Sequence, residues 1–331
     1  MRRAIFIRTD RLGETLLNLP AVAALQQALP NASVALLVNP ELQPLFEGVP
    51  GLGPVLAAPP DQSPRAWWVR AWRLGRLLRA GRFDAAVVSN PRKELHLAVW
   101  LARIPIRVGY GRKWGCLLTH PLPDRKALGE RHEVEYNLDL VRALGFPTTA
   151  RPWTFPAFSR EQAELPPALG GQGLQLSGPF IAVHPWSSHA LKEWPAERYQ
   201  ALIRRLANEL AVRIVVVGGA DARTRVSAVL PDPRAAVDAV GRLSLRQLAA
   251  LLQCARLLIS NDSGPVHLAA ALATPTVALF GGTNPGTSPR RWGPWGGGHT
   301  VIWKPSIAAI GVEEVFEAVC RQLGHDARRP A

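Results

Sequence analysis

Cysteine is scarce. Cys116, Cys254 and Cys320 stand far apart, none belongs to a CxxC or a Cys/His cluster, and their number is odd. Neither a disulfide framework nor a structural zinc site is expected, and a reducing compartment is the natural reading. Lysine is nearly as scarce: Lys93, Lys113, Lys126, Lys192 and Lys304 are the only five. Lys and Arg together number 39 against 25 Asp and Glu, for a formal net charge of +14. The excess is therefore arginine, which suits phosphate and carboxylate recognition but also follows from an arginine-rich composition. No apolar run reaches the roughly 18–20 residues that span a bilayer. The first one, Ala4–Ile7, runs straight into Arg8-Thr9-Asp10. That is too short for a signal-peptide core of roughly 7–15 residues. A cytoplasmic protein is expected, with attachment to a membrane surface left open. Two glycine signatures are also missing. Gly51-Leu52-Gly53 and Gly109-Tyr110-Gly111 lack the third glycine of GxGxxG, and no GxxxxGK[ST] occurs. Neither a dinucleotide dehydrogenase nor a P-loop NTPase is supported.

What is present is a regular alternation. At 331 residues, 47% hydrophobic and 19% charged, the chain can bury a large core and is long enough for two domains. Strands are predicted at 4–7, 33–38, 54–57, 84–89 and 106–109, with helices at 15–28, 64–80, 92–102 and 132–144. The stretch 146–179 holds six prolines and four glycines and reads as an interdomain connection. Alternation then resumes, with strands at 180–183, 213–217, 256–260 and 276–280 and helices at 196–210, 244–253, 265–272 and 312–323. The pattern predicts two α/β halves with parallel sheets, 1–165 and 166–331, facing a central cleft. Ligands in such sheets bind at the carboxyl ends of strands.

The loops that follow strands carry the chemistry. In Arg8-Thr9-Asp10-Arg11-Leu12-Gly13-Glu14, Glu14 can act as a general base on a hydroxyl and Asp10 can share or orient that role. Both are also ordinary turn and first-turn residues. Further on, Ser187, Ser188 and Lys192 form a plausible diphosphate cradle, or a polar loop leading into a helix at Pro195. Asn261-Asp262-Ser263-Gly264-Pro265-Val266-His267 puts a turn and a helix N-terminus after a strand. Its free N–H groups suit an anion and Asp262 suits sugar hydroxyls, yet Asp or Ser before Pro is also a plain N-cap. Gly218-Gly219-Ala220-Asp221 and Phe280-Gly281-Gly282 are weaker glycine turns of the same kind, with Asp221 able to reach a ribose hydroxyl.

Taken together, Arg8-x-Asp10-x-x-Gly13-Glu14, Lys192-x-Trp194-Pro195, Asn261-Asp262-Ser263-Gly264-Pro265-x-His267-Leu268 and Phe280-Gly281-x-Thr283-x-Pro285 resemble a known family. It is the bacterial ADP-heptose:lipopolysaccharide heptosyltransferases, glycosyltransferase family 9, and the likeness runs from residue 3 to about 320. It implies a GT-B fold: an N-terminal acceptor-binding and a C-terminal donor-binding Rossmann-like domain, the last helix free to pack back on the first. It implies inverting, metal-independent transfer of heptose from ADP-heptose to a lipopolysaccharide-core acceptor, with no cofactor and no metal. The same fold with another nucleotide sugar is the alternative. A non-catalytic protein binding anionic lipid or nucleic acid ranks below both, and no nucleic-acid partner is expected. Glu14 stands where the family carries its catalytic base, usually an aspartate. Ser187, Ser188 and Lys192 match its diphosphate contacts, and Asp262, Ser263, Gly264 and His267 its donor loop. Asp221 is the nearest carboxylate to the ribose contact, Leu243 lies near the adenine contact, and Trp186 replaces a commoner glycine. A cytoplasmic enzyme is expected, with peripheral contact to the cytoplasmic face of the inner membrane left open.

The densest basic segment is Arg65–Arg79, predicted as an amphipathic helix. Trp67, Ala71, Leu74 and Leu78 share one face, Arg65, Arg73, Arg76 and Arg79 gather on the other, and Trp68 and Trp72 lie on a flank. Loop cations Arg92, Lys93, Arg112, Lys113, Arg125 and Lys126 add to the first half. Arg11, Arg65, Arg92, Lys93 and Arg112 are the candidate acceptor contacts.

Overall fold

The computed structural model describes residues 1–60, 66–149, 153, 155–169, 178–210, 212–230, 232 and 234–324. It divides into two units, Met1–Trp153 and Thr154–Ala331.

In the first unit the strands are β1 (Arg3–Ile7), β2 (Ser33–Val38), β3 (Val55–Ala57), β4 (Ala85–Val88), β5 (Ile106–Tyr110) and β6 (His120–Leu122). They form one sheet in the order β3-β2-β1-β4-β5-β6, with every pair parallel. In the second they are β7 (Phe180–His184), β8 (Arg213–Val216), β9 (Val237–Asp238), β10 (Leu257–Asn261), β11 (Thr276–Gly281) and β12 (His299–Lys304). Their order is β12-β11-β10-β7-β8-β9, again all parallel. Each sheet starts at its centre, grows to one side, then crosses to the other. This is the doubly wound order, and its direction reverses between the first and fourth strands of each half. The central strands read as unbroken apolar runs because both faces are covered. Ala4–Ile7, Ala85–Val88, Phe180–Val183 and Leu257–Ile259 are all essentially inaccessible.

Helices close both faces. In the first unit the Trp67–Ala80 helix packs on the Lys93–Leu101 helix through Gly75, where a Cβ would stand 3.0 Å from Leu101 Cβ. In the second, the Ala196–Glu209 and Val312–Leu323 helices bury Tyr199, Leu202, Leu206, Val315, Phe316 and Val319 in the sheet's main cluster.

Several predicted boundaries move. The unit boundary falls at Trp153/Thr154 rather than 165/166. The cause is a helix, Ser159–Ala168, inside the stretch read as a proline-rich connection. It belongs to the second unit because it docks on the Leu245–Cys254 helix. There Glu161 accepts from Arg246 at 2.5 Å, and Phe158 N–H and Pro156 C=O both bond the Gln253 amide. The predicted 15–28 helix is two helices, Leu12–Leu16 and Leu19–Ala28, with Pro20 in the first turn of the second. A proline fits there and not mid-helix. The Val312–Leu323 helix buries Val315, Phe316 and Val319 in the second sheet's cluster. β6, β9 and β12 are strands that the apolar runs of the sequence do not reveal.

Candidate active site

In the first unit, chemistry gathers where β1 and β4 end side by side. β1 delivers Arg8, Thr9 and Asp10, and Arg11 is the extended N-cap of the Leu12–Leu16 helix. Glu14 lies in that helix's first turn, its backbone carbonyl held by Asn18 Nδ2 at 2.5 Å. Burial raises the Glu14 carboxyl above the usual range. The charge of Asp10 adds to this, against the opposing pull of Arg8 and Arg11. Asp10 accepts from Arg8 Nε at 2.6 Å. Arg8 is itself buried and reaches Ser89 C=O at 3.4 Å and Glu133 Oε1 at 3.6 Å. Lys126 Nζ sits 2.6 Å from the same Glu133 oxygen and 4.3 Å over the Tyr110 ring, whose hydroxyl donates to Tyr136 C=O at 2.6 Å. Lys126, read from sequence as a loop charge, is therefore a buried member of an ionic network behind the Glu14 loop. Beside it, Thr9 Oγ1 and both amide atoms of Asn90 are buried without a partner among the described residues.

The proposed acceptor cations are less uniform than their sequence suggested. Arg92 pairs with buried Glu94, which also faces Arg70 at 3.6 Å. Lys93 Nζ lies 4.1 Å over the Trp67 ring. Arg112 is exposed and bonds Asp124 at 3.1 Å. All three follow β4 or β5 at the carboxyl edge of the sheet. Arg65 lies outside the described residues.

In the second unit, β7 and β10 are neighbours in the sheet, so the loops that follow them meet. Lys192 Nζ contacts Asp262 Oδ2 at 2.5 Å, and Ser187 Oγ donates to Asp262 C=O at 3.3 Å. Burial raises the Asp262 carboxyl, and the Lys192 charge opposes the rise. Asn261 pins both loops from the interior. Its Nδ2 donates to Pro185 C=O at 2.7 Å, while its Oδ1 accepts from Trp194 N at 3.2 Å and Tyr199 Oη at 2.8 Å. Glu193 accepts from Ser187 N at 3.0 Å and pairs with Arg225. The Gly264–Ala271 helix starts directly after Ser263, with Pro265 in its first turn and His267 buried. Ser188 is exposed on the same loop.

Next to this loop pair lies a cavity of about 230 Å³ lined by His184, Gly218, Gly219, Leu243, Ser244 and Pro265 among others. Pockets that enclose a whole drug-sized ligand run to roughly 300–1,000 Å³, so this one suits part of a larger ligand. Leu243 is one of its walls as expected, whereas Asp221 stays exposed beside Gly219. His184 Nδ1 lies 3.3 Å from Ser260 Oγ and 3.2 Å from Ser263 Oγ. Burial lowers its pKa to about 4, so the imidazole is neutral near pH 7. His184, Glu193 and Asn261 were not singled out from sequence; Glu193 and Asn261 lie inside the two motifs, and His184 ends the strand before the first of them.

A family model described as glycosyltransferase family 9 (heptosyltransferase) matches residues 71–315. The chain belongs to glycosyltransferase family 9. It is 26% identical over 304 residues to a putative glycosyltransferase of Haemophilus influenzae, covering 89% of this chain and 86% of that protein. It is 24% identical over 295 residues to lipopolysaccharide heptosyltransferase 1 of Escherichia coli K12, covering 86% and 89%. Among solved structures, a family 9 glycosyltransferase from Veillonella parvula superposes with a TM-score of 0.87 at 22% identity, covering 97% of both chains. The ADP-heptose lipopolysaccharide heptosyltransferase II of E. coli superposes at 0.82 and 22% identity, covering 98% of both. This family 9 chain is thus a glycosyltransferase with the heptosyltransferase fold. No helix among its described residues is long and apolar enough to cross a membrane.

Proposed function

We propose that this glycosyltransferase moves heptose from ADP-heptose to a hydroxyl of a lipopolysaccharide-core acceptor, with inversion and without a metal. The observation that carries the donor side is the meeting of Ser187, Lys192 and Asp262 ahead of the Gly264–Ala271 helix, beside the Leu243-lined cavity. On this reading the adenosine occupies the cavity. The diphosphate lies against Ser187, Ser188, Lys192 and the helix N–H groups, and Asp262 and His267 face the sugar. Asp221, exposed at the rim, is the proposed ribose contact.

In the first unit Glu14 is the proposed base. It takes the acceptor proton as the acceptor oxygen attacks the anomeric carbon. The bond from that carbon to the diphosphate oxygen breaks on the opposite face, which inverts the centre, and ADP departs with the electron pair. Lys192 and the fixed donors meet the charge that develops there, the task a metal performs in other transferases. Asp10 and the Arg8 network orient the Glu14 loop. Thr9 and Asn90 offer unpaired groups to acceptor hydroxyls, and Arg11, Arg65, Arg92, Lys93 and Arg112 offer charge to acceptor phosphates. The acceptor is lipid-linked, which places the work at the cytoplasmic face of the inner membrane.

The test is ADP release from ADP-heptose in the presence of core acceptors. Glu14→Gln is expected to cut transfer by about 10²–10⁴-fold while leaving ADP binding intact. Unchanged turnover would remove Glu14 from the base role. If no nucleotide sugar in a donor panel is transferred or hydrolysed, this reading fails.

A further inference from the structure

We propose that the outward face of the Trp67–Ala80 helix is a docking surface for an anionic bilayer. The helix carries two sets of apolar side chains. Ala71, Leu74 and Leu78 are fully buried against the first unit's core. Trp68 and Trp72 are not: they stand 59% and 52% exposed. At about 100° per residue, Trp68, Trp72, Arg76 and Arg79 fall within an arc of about 80°. The indoles therefore share the arginine face, rather than flanking it as the sequence pattern suggested. Arg73, Arg76 and Arg79 are all exposed, the helix has no carboxylate, and the Arg76 guanidinium lies 4.9 Å over the Trp72 ring. The fourth arginine, Arg70, is buried and donates to Pro59 C=O at 3.1 Å, so it belongs to the fold and not to this face.

Two further indoles of this unit are exposed. Trp114 is 41% exposed and packs edge-on against Trp67 with ring centroids 5.2 Å apart. Trp100 is 49% exposed on the Lys93–Leu101 helix, which lies directly against the first.

Tryptophans exposed together on one helix face need a reason. Amphipathic indole rings settle at headgroup depth, and arginine stems lie along apolar surface while their heads reach phosphate. A lone helix ridge carrying both, with no acidic residue, complements an anionic lipid surface. A single-stranded nucleic acid would instead want a groove tracking its backbone. The proposal concerns a face outside the transfer site and stands whether or not ADP-heptose is the donor.

The test is co-sedimentation of the full chain with vesicles, read without any donor. Vesicles of phosphatidylethanolamine with phosphatidylglycerol are expected to bind it, phosphatidylcholine vesicles only weakly, and added salt should reduce the bound fraction. Trp68→Ser with Trp72→Ser, and separately Arg76→Gln with Arg79→Gln, should each weaken binding by roughly tenfold or more. All four side chains are exposed, so the thermal midpoint should not move, which separates lost docking from lost folding. Four results would overturn the proposal. They are no preference for anionic vesicles, binding that neither pair of substitutions changes, tighter capture of a single-stranded oligonucleotide by the same face, or a self-associated species that the tryptophan substitutions dissociate.

Discussion

As the proposed base, Glu14 combines two demands that pull apart. A base must be ionised to accept a proton, yet burial and the neighbouring Asp10 both favour its neutral form. Its pKa is therefore higher folded than unfolded. Between the two values the native chain holds more protons, so the contribution to stability is full below the ordinary carboxylate pKa. It is lost as pH rises through the folded one. At neutral pH the charge is a cost to folding that the proposed base role requires. Glu14→Gln should thus lose transfer but keep or gain stability, by up to about 1 kcal/mol in denaturant unfolding. The acid limb of kcat/KM should lie above the ordinary carboxylate range. A limb at or below that range would separate Glu14 from the limiting ionisation. Glu14 was legible as a candidate from its place after a strand. Its support was not: Arg8, Lys126 and Glu133 are three charges whose burial no composition or periodicity reports.

Elements were read best where one signal dominated. β1, β2, β7, β10 and β11 are continuous apolar runs, and the structure keeps each within a residue or so of its predicted bounds. Reading failed where two signals competed. The Ser159–Ala168 helix contains prolines and is held by partners 80–100 residues away, so local pattern argued against it. β12 follows a glycine cluster and is only half-buried, as an edge strand is. The junction between β11 and the Ile307–Ala309 turn depends on one missing side chain. A Cβ at Gly281 would stand 2.4 Å from Ile307 N, a backbone atom that cannot swing aside. Gly281→Ala should cost about 1–3 kcal/mol in chemical denaturation. Gly297→Ala, with nothing within 4 Å, should stay within about 0.5 kcal/mol of the parent. Equal effects would show that the turn yields. At Gly218 the obstacle is the Trp186 ring, which a Cβ would approach to 2.6 Å. This glycine and that tryptophan therefore have to be read as a pair.

At the scale of the whole molecule, both sheets share one strand order, and each reverses between its first and fourth strands. That is why Lys192 and Asp262, 70 residues apart, touch. Alternation in sequence reveals strands and helices but not which strands pair, so their meeting was legible only through the family resemblance. Acid should expose one weakness of the second unit. His184 has a pKa of about 4 folded against about 6.5 when free, because burial disfavours its charge. Between these values the unfolded chain binds more protons, so stability present above pH 6.5 is lost as pH falls toward 4. The loss is on the order of 3 kcal/mol, measurable as a falling denaturant midpoint. His184→Gln should flatten that slope; a slope unchanged by the substitution would assign it elsewhere.

The contact between Lys192 and Asp262 bears on how a chain of charge +14 treats the anions around it. The lysine of this loop pair is held by a carboxylate of its own unit. On the proposed reading an anion must draw it off Asp262, a toll common to every phosphate in the cell. Only a ligand that also places a sugar hydroxyl on the released carboxylate recovers it. On that reading the pair is a selectivity filter, set by competition rather than by shape. Asp262→Asn should tighten inorganic pyrophosphate while weakening the sugar nucleotide relative to ADP, in competition against ADP. Pyrophosphate affinity that does not rise would mean the lysine was never withheld.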